Sequence, residues 1–155
     1  MIYKSIFSSP LGYLEICADA GEAVTRLYFT STPSEQYTES EITRQAAREL
    51  EEYFSGQRQQ FNFALAPEGS AFEQQVWQAC CDIGYGKTAT FQDLAAAIGD
   101  AKSAKKVGQA VEANPIAIAI PTHRVIGKTS LLASFSTEAA QKEALRGAEK
   151  QFLNK

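Results

Sequence analysis

The sequence predicts an α+β fold, in which a small N-terminal antiparallel sheet with one helix precedes a helical C-terminal domain containing a winged-helix-like helix-turn-helix. The first thirty residues hold three short runs of apolar residues separated by tight turns, which favours an antiparallel meander. Residues 41–54 place apolar side chains at every fourth position, which is typical of a helix. In the second half, short helical segments are bounded by capping residues and glycine.

Length and composition limit the classes of protein that are possible. The 155 residues suffice for one ordinary domain or two small ones, and 45% hydrophobic with 21% charged residues is ordinary for a soluble globular protein. No apolar run approaches the ~20 residues that span a membrane, and the first residues lack a signal-peptide pattern. We therefore expect a cytoplasmic protein, nuclear as well if eukaryotic, with no membrane partner.

The cysteines and the histidine bear on metal binding. Three cysteines, Cys17, Cys80 and Cys81, form an odd set without a disulfide framework, which suits a reducing compartment. With one histidine and no Cys-x-x-C pattern, a zinc site is not expected. The sequence predicts no metal and no cofactor.

The N-terminal elements follow in order. Strands are predicted over residues 2–8, 13–18 and 23–30, a helix over 41–54 that Gly56 ends, and a short strand over 61–65. The stretch Ala66-Pro67-Glu68-Gly69 is predicted to be a linker, which divides the chain into domains 1–66 and 67–155. The first domain shows no convergent cluster of reactive side chains and is interpreted as a scaffold.

The C-terminal elements are helical. Ser70 and Glu73 have the spacing of a capping box, and Thr90 is a predicted N-cap for a helix over 91–98. Gly99 separates that helix from a second one over about 103–112, so the pair resembles a helix-turn-helix. A last helix is predicted over 138–153.

Charge is unevenly distributed along the chain. Residues 1–69 carry five Lys/Arg against ten Asp/Glu, whereas residues 70–155 carry ten against eight. The second half is therefore the better candidate for facing phosphate, although many solvated surfaces are slightly basic. Its lysines at the start of the second short helix stand where a recognition helix would meet DNA: Lys102, Lys105 and Lys106.

Residues 114–127 contain the candidate site. Asn114 to Ile120 alternates apolar residues and is predicted to be a buried extended segment, which Pro121 ends. Thr122, His123 and Arg124 follow at once, and His123 is the single histidine of the chain. Polar residues directly after an apolar run are typical of a rigid segment that presents chemistry at its tip.

This segment resembles the active-site segment of the O6-alkylguanine-DNA alkyltransferases, which reads Asn-Pro, an apolar run, then Pro-Cys-His-Arg-Val. The resemblance continues in Phe72 with Gln75-Val76-Trp77, in Tyr85-Gly86-Lys87-Thr88 to Asp93-Leu94-Ala95, and in Val107-Gly108. It implies a sheet-bearing N-terminal domain and a helical domain that binds the DNA minor groove and flips out the damaged guanine. It also implies that Thr122 stands at the position of the reactive cysteine.

The resemblance assigns roles to the site residues. His123 and Glu149 correspond to the partners of the cysteine, and Asn114 would hydrogen-bond the flipped base. A threonine hydroxyl stays protonated near neutral pH, whereas a thiol ionises far more readily, so we expect no direct alkyl transfer to Thr122. A structural alternative for His123 is a buried hydrogen bond to Glu149 that fixes the segment.

The resemblance also implies a DNA-contacting set, in which several positions differ from the family pattern. Phe91 stands for a tyrosine and lacks its hydroxyl, and Lys105 stands for an intercalating arginine, which it cannot imitate as a planar fork. In the substrate loop, Phe135 can pack on a base and Ser136 can contact O6. The predicted DNA-binding residues are Phe91, Lys105, Lys106, Arg124, Phe135 and Ser136.

Three functional hypotheses remain open. The first is a monomeric damage sensor, similar to the alkyltransferase-like proteins, that binds O6-alkylguanine in double-stranded DNA and passes it to a downstream repair protein. The second is a degenerate homologue that binds DNA non-specifically or binds a protein partner. The third is a residual alkyltransferase that uses an unusual acceptor, either Thr122 or a relocated cysteine.

Overall fold

The structure, a computed structural model, describes residues 1–19, 22–127 and 137–154. The chain forms two compact units, one of residues 1–68 with 115–119 and one of residues 69–114 with 120–155. Among the described residues no helix is both long enough and apolar enough to cross a membrane.

The first unit is built on a three-stranded antiparallel sheet. Its strands are β1 (Ile2–Ser9), β2 (Gly12–Asp19) and β3 (Val24–Thr30), in the spatial order β1-β2-β3. Leu14 and Ile16 of the central strand are fully buried. The sheet carries the helix α1 (Glu41–Phe54), which confirms the predicted sheet-and-helix fold.

Helix α1 begins where the sequence allows its first amides to be capped. The Ser40 hydroxyl accepts from the Thr43 N–H, and the Thr43 hydroxyl accepts from the Ser40 N–H at 2.9 Å. This reciprocal pair satisfies two amides that the helix itself leaves without partners. Ala46 and Leu50 are fully buried along one face, which is the face that the periodicity of four predicts.

A buried carboxylate ties a loop to the opposite face of the sheet. Glu15 of β2 is 3% exposed and accepts hydrogen bonds from Lys4 Nζ at 3.1 Å, from the Ser34 N–H at 2.8 Å and from the Tyr28 hydroxyl. Burial by itself would raise the pKa of Glu15, but the hydrogen bonds outweigh it and lower the pKa from 4.5 to about 2. The ionised form therefore stabilises the fold.

The strand predicted over residues 61–65 is wrong except at its last residue. Only Leu65 pairs, in a single parallel bridge with Val24. The Asn62 N–H donates to the buried Glu49 carboxylate at 2.6 Å. An amide that bonds to a side chain cannot join a ladder, and the sequence pattern gives no sign of this competition.

The second unit is helical. Within its described residues the α-helices are α2 (Ala71–Cys81), α3 (Phe91–Ala97), α4 (Ala104–Glu112) and α5 (Thr137–Leu153). The predicted caps are confirmed, because Ser70 pairs reciprocally with Glu73 and Thr90 with Asp93. The Trp77 indole N–H of α2 donates to the Ala110 carbonyl of α4 at 2.8 Å, which fixes these two helices together.

The predicted helix-turn-helix is confirmed as α3, a turn and α4. Gly99 in the turn has a φ of +80°, a conformation that glycine adopts without strain. A two-stranded parallel sheet, β4 (Ala89–Thr90) with β5 (Val125–Ile126), leads into α3. The sequence analysis missed these strands because two residues are too few to show a period.

The prediction of an extended segment over 114–120 is wrong. Ile116 makes one bridge to Leu27, and the chain then turns. Ile118 has a φ of +71°, and the Ala119 N–H donates to the Ala117 carbonyl at 2.7 Å, which is a γ-turn with positive φ. The isoleucines at 116, 118 and 120 alternate because all three are buried, not because the backbone is extended.

Replacing Glu15 by glutamine tests the buried carboxylate. We expect a loss of about 2 kcal/mol in the free energy of unfolding at pH 7, since hydrogen bonds to a charged group are lost. Because the folded pKa lies below the usual 4.5, this contribution is present above pH 4.5 and disappears as the pH falls towards about 2. Urea unfolding of both proteins across this pH range checks it, and a pH-independent difference would contradict it.

Candidate functional site

A tight turn at Pro121 begins the site. Pro121 has φ −79° and ψ 62°, and the Thr122 N–H donates to the Ile120 carbonyl at 2.7 Å, which is an inverse γ-turn. One turn of 3-10 helix follows over Thr122–Arg124. Its three residues are at most 6% exposed, so these polar residues lie inside the unit.

Asn114 holds this turn in place. Its side-chain Nδ2 donates to the Ile120 carbonyl at 2.9 Å and to the Thr122 hydroxyl at 3.0 Å. A carbonyl oxygen only accepts, so the contact with Ile120 assigns the nitrogen of the amide to this side. The Thr122 oxygen is therefore the acceptor in its bond with Asn114.

His123 is buried and is paired with a carboxylate. Its Nε2 lies 2.6 Å from Glu149 Oε2, and the two side chains are 2% and 1% exposed. Burial lowers the pKa of His123 against the opposing effect of Glu149, so the imidazole is neutral at neutral pH and donates from Nε2. Its Nδ1 is then an acceptor, and it has no hydrogen-bond partner among the described residues.

Glu149 of α5 is the centre of the polar network. Besides His123, its carboxylate accepts from the Gly86 N–H at 3.0 Å and from two guanidinium nitrogens of Arg124 at 2.9 and 3.1 Å. Arg124 also donates to the Ile83 carbonyl at 2.8 Å and lies 5.6 Å from the centre of the Tyr85 ring. The buried negative charge is thus matched by a buried positive charge.

Arg146 is a site residue that the sequence analysis missed. Its guanidinium donates to the His123 carbonyl at 2.8 Å, so α5 holds both the side chain and the backbone of His123. No pattern around Arg146 distinguishes it from a solvated arginine on a helix. Only the fold brings it to the segment of His123.

The residues predicted to contact DNA fall into separate groups. Lys105 and Lys106 are exposed in the first turn of α4, and Phe91 packs its ring against Gly108 and lies beside Gly127. Arg124 is 6% exposed and its guanidinium is bonded to Glu149 and to the Ile83 carbonyl, while its predicted contact with DNA stays a prediction. The predicted contacts Phe135 and Ser136 lie outside the described residues.

The thiols of the chain are not activated. Cys17 and Cys80 are buried, and Cys81 is exposed. Burial raises the pKa of Cys17 and, to about 12, that of Cys80, while partial desolvation of the sulfur and the nearby Asp82 raise the pKa of the more exposed Cys81, so none is favoured as a thiolate. Among the residues that the structure describes, no group of three His, Cys, Asp or Glu side chains is placed to hold a metal ion.

Two family models match the chain. Residues 71–151 match the DNA binding domain of 6-O-methylguanine DNA methyltransferase, and residues 2–67 match its ribonuclease-like domain.

Relatives match over nearly the whole length. A methylated-DNA–protein-cysteine methyltransferase of Methanosarcina barkeri is 37% identical, with 98% of this chain and 99% of that protein covered. The crystal structure of the Mycobacterium tuberculosis O6-methylguanine methyltransferase has 32% identity and a TM-score of 0.87, covering 97% of this chain and 94% of that one. The mycobacterial protein in complex with DNA has 34% identity, a TM-score of 0.83 and the same coverage.

Substituting Glu149 tests whether its carboxylate is the centre of the network. We expect Glu149→Gln to lower the free energy of unfolding by about 3–5 kcal/mol, because Arg124 is left buried without a counter-charge. Glu138→Gln on the same helix, where the side chain is 70% exposed and 3.8 Å from Lys142, is the matched control and should change stability by less than about 0.5 kcal/mol. Denaturant unfolding measures both, and equal effects would contradict the assignment.

Proposed function

The chain belongs to the 6-O-methylguanine DNA methyltransferase family of DNA-repair proteins, and from this premise we propose that it binds O6-alkylguanine in duplex DNA without accepting the alkyl group. In this proposal Thr122 takes the place of the reactive cysteine. The protein acts as a damage sensor in the cytoplasm, as a monomer, and presents the lesion to a downstream repair protein.

The observation that carries the proposal is the hydrogen bonding of Thr122. An activated hydroxyl needs a base within hydrogen-bond reach. The Thr122 oxygen is bonded to Asn114, while His123 uses Nε2 for Glu149 and has no partner at Nδ1 among the described residues. The hydroxyl and the imidazole are therefore not connected, and a neutral hydroxyl is a poor nucleophile.

The remaining cysteines support the same conclusion. A relocated acceptor would need a thiol with a lowered pKa, and the pKa is raised at Cys17, Cys80 and Cys81. The hypothesis of a residual alkyltransferase thus lacks an activated group in this chain, although the curated relatives are named methyltransferases.

Other features of the chain support binding of the damaged DNA, as distinct from alkyl transfer. His123 and Glu149 form a buried polar pair, and Asn114 is hydrogen-bonded to Thr122 next to it in sequence; a protein without a site would not need to keep these residues polar. Lys105 and Lys106 are exposed at the start of α4, where ammonium groups can meet phosphate, and a similar mycobacterial protein was crystallised with DNA. Flipping a guanine costs a few kcal/mol, which a retained pocket must recover.

Binding to two duplexes tests the sensor function. We expect tighter binding to a duplex with one O6-methylguanine than to the same duplex unmodified, in fluorescence anisotropy at one stated salt concentration. Replacing Lys105 and Lys106 together by alanine should weaken binding to both duplexes alike and reduce the salt dependence, because phosphate contacts carry no base information. Lys150→Ala on α5 is the control. Equal affinity of the unaltered protein for the two duplexes would remove the proposal.

Restoring the thiol tests the missing chemical step. We expect Thr122→Cys to acquire one alkyl group from an O6-methylguanine duplex, because the thiol ionises far more readily than a hydroxyl and the His123–Glu149 pair that the family resemblance assigns to a cysteine here is formed. Intact-protein mass spectrometry detects the added mass. The unaltered protein and Thr122→Ser, which retains a hydroxyl, should gain none, and alkylation of the unaltered protein would show instead that it is a transferase.

A further inference from the structure

The Thr122 hydroxyl has a proton that its known hydrogen bond does not use. The oxygen accepts from Asn114 Nδ2 at 3.0 Å, and the contact of the same nitrogen with the Ile120 carbonyl at 2.9 Å excludes the reverse direction. A hydroxyl has one donor and two acceptor positions. Its proton therefore remains available for another acceptor.

That proton is buried without an acceptor among the described residues. Thr122 is 4% exposed, and its hydroxyl makes no other hydrogen bond within residues 1–19, 22–127 and 137–154. The adjacent residue carries a second buried group in the same state, since His123 Nδ1 is an acceptor without a donor there. Buried polar groups without partners are unfavourable, so the Thr122 hydroxyl favours a ligand that supplies an acceptor.

We propose that Thr122 makes the site selective for O6 adducts that carry a terminal oxygen, such as O6-(2-hydroxyethyl)guanine, over adducts that are purely alkyl. This inference rests on the proposed function, in which residue 122 faces the adduct. The adduct oxygen accepts from the Thr122 hydroxyl. A methyl or propyl group in the same place leaves that hydroxyl without an acceptor.

The difference in affinity between the two kinds of adduct can be estimated from the hydrogen bond that the alkyl adduct lacks. Sites built to hydrogen-bond a ligand group reject analogues that lack it, because their own polar groups are left unpaired. One unpaired donor corresponds to about a tenfold difference in affinity. The shape of the adduct must be held constant to see it, and O6-propylguanine matches O6-(2-hydroxyethyl)guanine in length with a methyl group in place of the hydroxyl.

The experiment compares three duplexes that differ only in one guanine, which is unmodified, O6-propylated or O6-hydroxyethylated. Affinities are measured by anisotropy at one salt concentration for the full chain, for Thr122→Val and for Thr122→Ser. Valine keeps the branched shape and lacks the hydroxyl, and serine keeps the hydroxyl and lacks the branch. Thermal unfolding by circular dichroism verifies that each variant is folded.

We expect the unaltered protein and Thr122→Ser to bind the hydroxyethyl duplex about tenfold more tightly than the propyl duplex. Thr122→Val should bind the two about equally while still preferring both to the unmodified duplex. If the unaltered protein prefers both adducts to guanine without distinguishing them, the inference about Thr122 is wrong and the proposed function stands. If it distinguishes none of the three duplexes, both fail.

Discussion

The carboxylate of Glu149 is the interaction on which the candidate site depends. It is buried in α5 and receives hydrogen bonds from an imidazole, a guanidinium and a backbone amide. Removing a carboxylate from water is costly, and only a near-complete set of donors offsets the cost. Because those donors come from Gly86, His123 and Arg124, the same requirement fixes the turn before α3 and the 3-10 turn after Pro121 relative to α5.

The backbone around the site is shaped by tight turns. Ile118 has a positive φ that a β-branched residue adopts only under strain, and Pro121 forms an inverse γ-turn. Ile120 lies between these two turns, and its carbonyl accepts a hydrogen bond from the Asn114 side chain. This bond takes the place of a backbone hydrogen bond that regular secondary structure would supply. Strain of this kind persists where the surrounding structure fixes the chain, and here it places the Thr122 hydroxyl against Asn114.

For function, the proposal combines the buried hydrogen-bonded pair of His123 and Glu149 with a threonine at the position proposed for the reactive atom. A neutral imidazole whose Nδ1 has no partner within the part of the chain that the structure describes is the state that a general base requires, yet the hydroxyl beside it in sequence is bonded to Asn114. In line with the proposed function, we interpret this arrangement as a recognition site. Under this proposal, the group at position 122 determines which adducts are bound instead of which are transferred.

The sequence by itself determined the elements that depend on local chemistry. The caps at Ser70 and Thr90, the helix over 41–54 and the meander of strands were predicted because side-chain periodicity and capping act within a few residues. The pairing of His123 with Glu149, implied by a family resemblance and open as a structural alternative, has the geometry described above.

Tertiary structure alone decided the rest. The diversion of the Asn62 amide to Glu49 and the bonds of the Arg124 and Arg146 guanidiniums arise from contacts between residues distant in sequence. No local pattern records such contacts, because their energy depends on burial and on partners that only the folded chain brings together.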